Sequence, residues 1–142
     1  MSINEKKLWL AINQIQKIHK NWLVFRLESR TINGIPDVFC CCAGVVFWLE
    51  LKSSNANNKG ISKFQYNWHY DYFVSGGISF ILNYHDTQDT LELLAIHEPR
   101  TIKQVLSMTM SLGSRKKDLE ENINHIINHI IKLQSHNTTI NS

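Results

Sequence analysis

Residues 34–53 read GIPDVFCCCAGVVFWLELKS, and this stretch decides the fold. Two short, almost continuous apolar runs, Asp37 to Cys42 and Val45 to Lys52, meet at Ala43-Gly44, the pattern of two strands joined by a tight turn. Their density of Val, Phe, Trp and Cys implies burial on both faces. The adjacent Cys40, Cys41 and Cys42 lack the spacing of a zinc knuckle, and their side chains must alternate across a sheet. They read as small apolar residues of a reduced protein rather than as a disulfide framework. Just upstream, Asn33-Gly34 signals a turn, and Pro36 has no N–H to give a central ladder.

Working outward, Trp22 to Arg30 alternates, with Leu23, Phe25 and Leu27 on one face and Val24, Arg26, Glu28 and Arg30 on the other. That predicts a strand with one wet face. Asn4 to about Lys20 carries Leu8, Ile12, Ile15 and Ile18, then Trp22, at helical spacing, with Asn4 or Ser2 as N-cap. Downstream, the polar segment Ser53 to Gly60 reads as a mobile loop. Ser62 to Val74 reads as an aromatic helix capped by Ser62 and stopped at Gly76-Gly77. Ile78 to Tyr84 and Leu91 to Ile96 form a hairpin. After Pro99, Arg100 to about Leu112 reads as a weaker helix, and Arg115 to Gln134 as a final one with Leu119, Ile123, Ile126, Ile130 and Leu133 striped along it. The expected organisation is an α/β core over residues 1–98, a helical extension of the same domain over 99–135, and a disordered tail over 136–142.

At 142 residues the chain can bury a real core, and 43% hydrophobic with 19% charged residues excludes a wholly disordered protein. No apolar run approaches the roughly 18 residues of a spanning helix. The charged, amide-rich start MSINEKKLWLAINQIQK is no secretory signal, so the expected address is the cytoplasm, that of the host if the source is viral. Fifteen Lys and Arg against twelve Asp and Glu give +3, a mild basicity compatible with a nucleic-acid partner.

In a strand, side chains two apart share a face, so Glu50 and Lys52 point together while Leu51 faces the other way. A neighbouring strand opening at Asp37 is expected to lay its carboxylate alongside Glu50. Two close carboxylates repel, and a divalent cation relieves them. Mg²⁺ prefers carboxylate oxygens, water and substrate phosphate, and Mn²⁺ should substitute. The Leu51 backbone carbonyl is a further candidate ligand. Protonated Lys52 can hold an attacking water and the charge that develops on a phosphoryl oxygen. These parts suit metal-assisted hydrolysis of a phosphodiester. The blander alternative makes Asp37 a turn cap and Glu50 with Lys52 a solvated pair on an edge strand. An acid seldom interrupts a run as apolar as VVFWLEL for that purpose.

On these residues the sequence resembles the PD-(D/E)XK nuclease superfamily, with Pro36-Asp37 as the first element and Glu50-Leu51-Lys52 as the second. GIPDV, then WLELKS, then a helix carrying Ser62, Gln65 and Trp68 are most similar to two branches. These are the VRR-NUC nucleases of replication and repair and the small Holliday-junction resolvases of archaea and phages. The resemblance covers about residues 3 to 84. It implies a restriction-endonuclease-like αβββαβ core with a mixed central sheet, and a Mg²⁺-dependent endonuclease acting on DNA. It also implies that Gln65 lies beside the metal site and that Glu5 is the glutamate of the first helix. Glu5 falls in the helical sector of Leu8, Ile12 and Ile15, whereas its rival Glu28 sits between Arg26 and Arg30.

Within that class the expected activity is junction resolution, with a VRR-NUC-like flap or nicking nuclease, or a catalytically inactive DNA-binding protein of the same fold, as alternatives. Resolvases of the families resembled are homodimers, and the stripe on the final helix, widened by Ile127 and Ile131, offers either a packing face or a two-fold contact. Arg26, Arg30, Lys59, Lys63, Arg115, Lys116 and Lys117 are the candidates for phosphate contacts. With no evident reader of base edges, shape rather than sequence is the expected basis of recognition. His125 and His129 sit four apart but lack the intervening glutamate of a zincin, and His69 reads as a half-buried helical histidine.

Overall fold

The computed structural model describes residues 2–28, 32–110 and 116–141, and the side chains of these except 116 and 136–141. Three helices and a six-stranded mixed sheet follow in the order α1 (Ile3–Gln16), β1 (Trp22–Arg26), β2 (Val38–Cys42), β3 (Val45–Lys52), α2 (Lys63–Val74), β4 (Ser79–His85), β5 (Thr90–Glu98), β6 (Thr101–Thr109) and α3 (Lys116–Asn141). The strands lie side by side in sequence order. Every neighbouring pair is antiparallel except β3 and β4, which run parallel because α2 carries the chain back over the sheet. The expected αβββαβ order and mixed sheet are therefore present.

Alternation divides the core. One face buries Val38, Cys40, Cys42, Phe47, Leu49 and Leu51 against Leu8, Ile12 and Ile15 of α1 and Ile123, Ile126 and Ile130 of α3. The other face packs Ile81, Leu94 and Ile96 under Tyr66 and Tyr70 of α2. Among the described residues no helix is long and apolar enough to cross a membrane.

Four expectations need correction. Residues 101–109 form strand β6, not a helix. Register slips in the β5–β6 pairing set Val105 and Leu106 side by side as half-buried neighbours, so Ile102, Val105 and Leu106 imitate a helical triplet. β1 turns its faces the other way: Trp22 and Val24 are buried, while Leu23 is 59% and Phe25 43% exposed. As the edge strand, β1 has only the α1 side covered, and both of its faces are apolar enough for that role. α1 stops at Gln16 rather than near Lys20, leaving Ile18 exposed; the Gln16 carboxamide oxygen accepts the Val24 N–H, and His19 stacks on Trp22 to turn the chain. α3 runs without a break to Asn141, into residues expected to be a disordered tail, since no glycine or proline follows to stop it. Of its stripe, Ile123, Ile126, Ile127 and Ile130 are buried within this chain, while Leu119 and Ile131 are half-buried and Leu133 is exposed.

Candidate active site

Asp37 stands one residue before β2, where Pro36 ends the preceding loop and the Asp37 carbonyl accepts the Leu27 N–H. The β2–β3 ladder begins at Val38 opposite Leu49, so Glu50 and Leu51 pass the end of β2 with Asp37 beside them. There the two acids lock into each other's strands. The Asp37 N–H donates to Glu50 Oε2 at 3.2 Å, and the Leu51 N–H donates to Asp37 Oδ2 at 3.0 Å. Lys52 Nζ lies 3.7 Å from Glu50 Oε1. The structure thus brings together the three side chains expected to converge.

Gln65 joins them from α2. Ser62 and Gln65 form a capping box: the Ser62 hydroxyl accepts the Gln65 N–H, and Gln65 Oε1 accepts the Ser62 N–H at 2.9 Å. With its oxygen committed to the cap, the carboxamide turns its Nε2 outward, and this donates to Glu50 Oε1. Gly34 lets the Pro36 loop close on the same helix. Its φ is +84°, and a side chain there would stand 2.2 Å from the Phe64 carbonyl oxygen.

These residues, with Glu5 and Arg26, line an open cleft of about 510 Å³. Glu50 is only 2% exposed. Burial, then the charge of Asp37, pushes its carboxyl up to about 8, against the pull of Lys52. Asp37 is also raised, by burial first; the Leu51 N–H and Lys52 oppose this, and the charge of Glu5 adds to it. Glu5, held in the first turn of α1 by the Ser2 cap, therefore acts on the acid pair across the cleft. Glu28 also lines the cleft, but its exposed carboxylate is paired with Arg26. The described residues hold no cluster of three or more His, Cys, Asp and Glu side chains that would complete a metal cage. Any ion here must take its remaining ligands from backbone carbonyl, water or substrate.

The basic candidates do not converge as expected. Only Arg26 lines the cleft among those with described side chains; Lys63 and Lys117 are exposed elsewhere. Lys59 is a correction, because its ammonium is taken by the buried carboxylate of Glu92 at 3.2 Å. Arg30 and Arg115, and the side chain of Lys116, lie outside the described residues. His69 is fully buried rather than half-buried; Nδ1 meets Ser79 Oγ at 2.7 Å, Nε2 has no hydrogen-bond partner among the described residues, and burial lowers its pKa to about 4. Sequence reasoning missed the buried pair Asn83 and Glu92, although Glu92 interrupts the apolar run LELLAI much as Glu50 interrupts its own.

No protein-family model matches the chain, and no curated protein does. Among solved structures, it is similar to one described as a VRR_NUC domain, with 21% identity, 56% of this chain and 84% of that chain covered, and a TM-score of 0.46.

Proposed function

We propose that the protein is a divalent-metal-dependent endonuclease that hydrolyses DNA phosphodiesters. The carrying observation is the reciprocal locking of Asp37 and Glu50, with the Lys52 ammonium 3.7 Å from the Glu50 carboxylate. The donor set fits a divalent cation. Glu50 is buried and pushed up to about 8, so the pair as it stands retains a proton at neutral pH, and that proton is what a cation displaces. All-oxygen donors favour Mg²⁺, with Mn²⁺ able to substitute.

Asp37 and Glu50 would hold the ion. The Leu51 carbonyl would join them, since it lies on the same side of β3 as the N–H that meets Asp37. An ion bound there would supply Lewis-acid polarisation of the phosphoryl group. Lys52 donates to the attacking water and then to the phosphoryl oxygens as they gain charge. Gln65 fixes the Glu50 carboxylate, and Glu5 extends the acidic wall of the cleft. Arg26 contacts phosphate at the cleft, with Lys63 and Lys117 as outlying contacts, which favours recognition by backbone and shape.

The finer reading is a homodimeric enzyme acting on four-way junctions, supported by the small domain and the motif resemblance; a flap or nicking nuclease is the rival. Purified protein is incubated with four-way-junction, flapped and supercoiled DNA, with and without Mg²⁺, beside Asp37→Ala and Lys52→Ala. Metal-dependent cleavage lost in both variants supports the assignment. Equal cleavage by all three proteins, or by none, refutes it. Paired cuts at the junction separate resolution from flap cleavage.

A further inference from the structure

Lys52 is the last residue of β3, and beyond it the chain leaves the sheet through Ser53–Gly60, which forms neither helix nor strand. A loop so polar has no apolar anchor, so its fastening decides how firmly Lys52 is held. The register pairs Lys52 with Asn83 and Asn83 with Glu92. Three polar side chains therefore form a row across β3, β4 and β5 on the face that α2 covers.

The row binds the loop at both ends. Asn83, fully buried, accepts the Ser54 N–H at 3.0 Å on Oδ1 and donates from Nδ2 to the Ser54 carbonyl at 3.0 Å and to Glu92 Oε2 at 2.9 Å. Ser53 Oγ donates to the Tyr84 carbonyl at 3.2 Å and accepts from Asn4 Nδ2 at 3.1 Å. At the far end Glu92, 6% exposed, takes the Lys59 ammonium at 3.2 Å. Lys59 (φ 53°) and Gly60 (φ 71°) both turn left-handed. A non-glycine residue keeps that conformation where its surroundings over-determine it, and here the buried carboxylate does so. The turn returns the chain to Lys52: a side chain on Gly60 would stand 3.9 Å from Lys52 Cδ and 3.4 Å from Ser54 Cβ.

We propose that Asn83, Glu92 and Lys59 are positioning residues for Lys52, tying the Ser53–Gly60 loop into a wall along the lysine stem so that its ammonium stays at the rim of the cleft. This rests on the nuclease reading above. A lysine stem free to rotate must be ordered in each turnover, and holding it beforehand moves that cost into folding. The same row explains why a segment expected to be mobile is fastened.

Glu92→Gln keeps an acceptor for Asn83 but removes the charge that holds Lys59. Amide hydrogen exchange at residues 54–60 is read alongside single-turnover cleavage and DNA affinity. The expected result is exchange and cleavage both changed about tenfold, faster and slower respectively, with DNA affinity unchanged. If Glu92→Gln fails to fold, Lys59→Met breaks the same ion pair from the loop side while Glu92 keeps its bond from Asn83, and carries the same expectation. A loosened loop with an unchanged cleavage rate overturns the positioning role and leaves the nuclease reading intact. Unchanged exchange refutes the clamp itself. Absence of cleavage by the wild-type protein sinks the nuclease reading and the positioning role with it, while exchange still reports whether the loop is fastened.

Discussion

Asp37 and Glu50 are bound through each other's strands: the Asp37 N–H donates to the Glu50 carboxylate, and the N–H just past Glu50 donates to the Asp37 carboxylate. Two acids are thereby held together at a place where their charges oppose it. Glu50 carries the larger consequence, because burial and the charge of Asp37 raise it from 4.5 to about 8. The folded protein without metal binds a proton that the unfolded chain releases near pH 4.5. Stability from this group is full below that pH and is lost as pH rises towards 8. At about 1.4 kcal/mol per pKa unit the swing is on the order of 5 kcal/mol. Above pH 6.5, where the opposing titration of His69 is complete, thermal melts should fall towards pH 8 for wild type without metal and recover in millimolar Mg²⁺. Glu50→Gln should remove both the slope and the recovery, and a variant melting in parallel with wild type contradicts the shift.

Gln65 ties the helix cap to the acid pair, so replacing it should have two separable effects. Gln65→Leu loses one side of the capping box, a cost of about 1 kcal/mol. It also removes a donor that favours the charged form of Glu50. The rising limb of the rate against pH should then move to higher pH, with weaker Mg²⁺ binding at pH 7 by titration calorimetry. Loss of stability without any shift of the limb would leave Gln65 as a cap alone.

Much of this site is legible in the amino-acid order, for a physical reason. Asp37, Glu50 and Lys52 are charges set into apolar runs at positions that share a strand face, and period-2 geometry then dictates their meeting. β1 and β6 were harder. Edge position decided which apolar face of β1 is covered, and a register slip gave β6 a helical spacing. Lys59 looked like a surface cation because its partner Glu92 lies 33 residues away and nothing local announces the pairing. Gln65 was visible only through the motif resemblance, and its part in the helix cap emerged from the structure.

Gly34 and Gly44 have nearly the same φ, +84° and +82°, but different surroundings. A side chain at 34 meets the Phe64 carbonyl at 2.2 Å, whereas one at 44 meets nothing within 4 Å. Gly44→Ala should cost about 1 kcal/mol from backbone conformation alone. Gly34→Ala should cost about 3 kcal/mol, because the loop must also pull away from α2 and widen the cleft. Urea denaturation of the two variants measures the contrast, and equal losses would mean that the Gly34 loop yields freely.

His69 should set the acid limit of the fold. It is fully buried, and burial lowers its pKa from 6.5 to about 4, so the unfolded chain takes up the proton first as pH falls. Its contribution is complete above pH 6.5 and is lost on the way down to about 4, a swing on the order of 3 kcal/mol. Glu50 works in the opposite direction over part of that range, since its protonated form favours the fold as pH drops. Wild type without metal should therefore look flatter between pH 4.5 and 6.5 than either group alone dictates. Glu50→Gln removes the opposing slope and should expose a steep acid-side loss. Adding His69→Phe with Ser79→Ala, which removes both partners of the 2.7 Å contact, should flatten it again. If the loss persists in that triple variant, the acid limit belongs to another group and the burial of His69 is not what sets it.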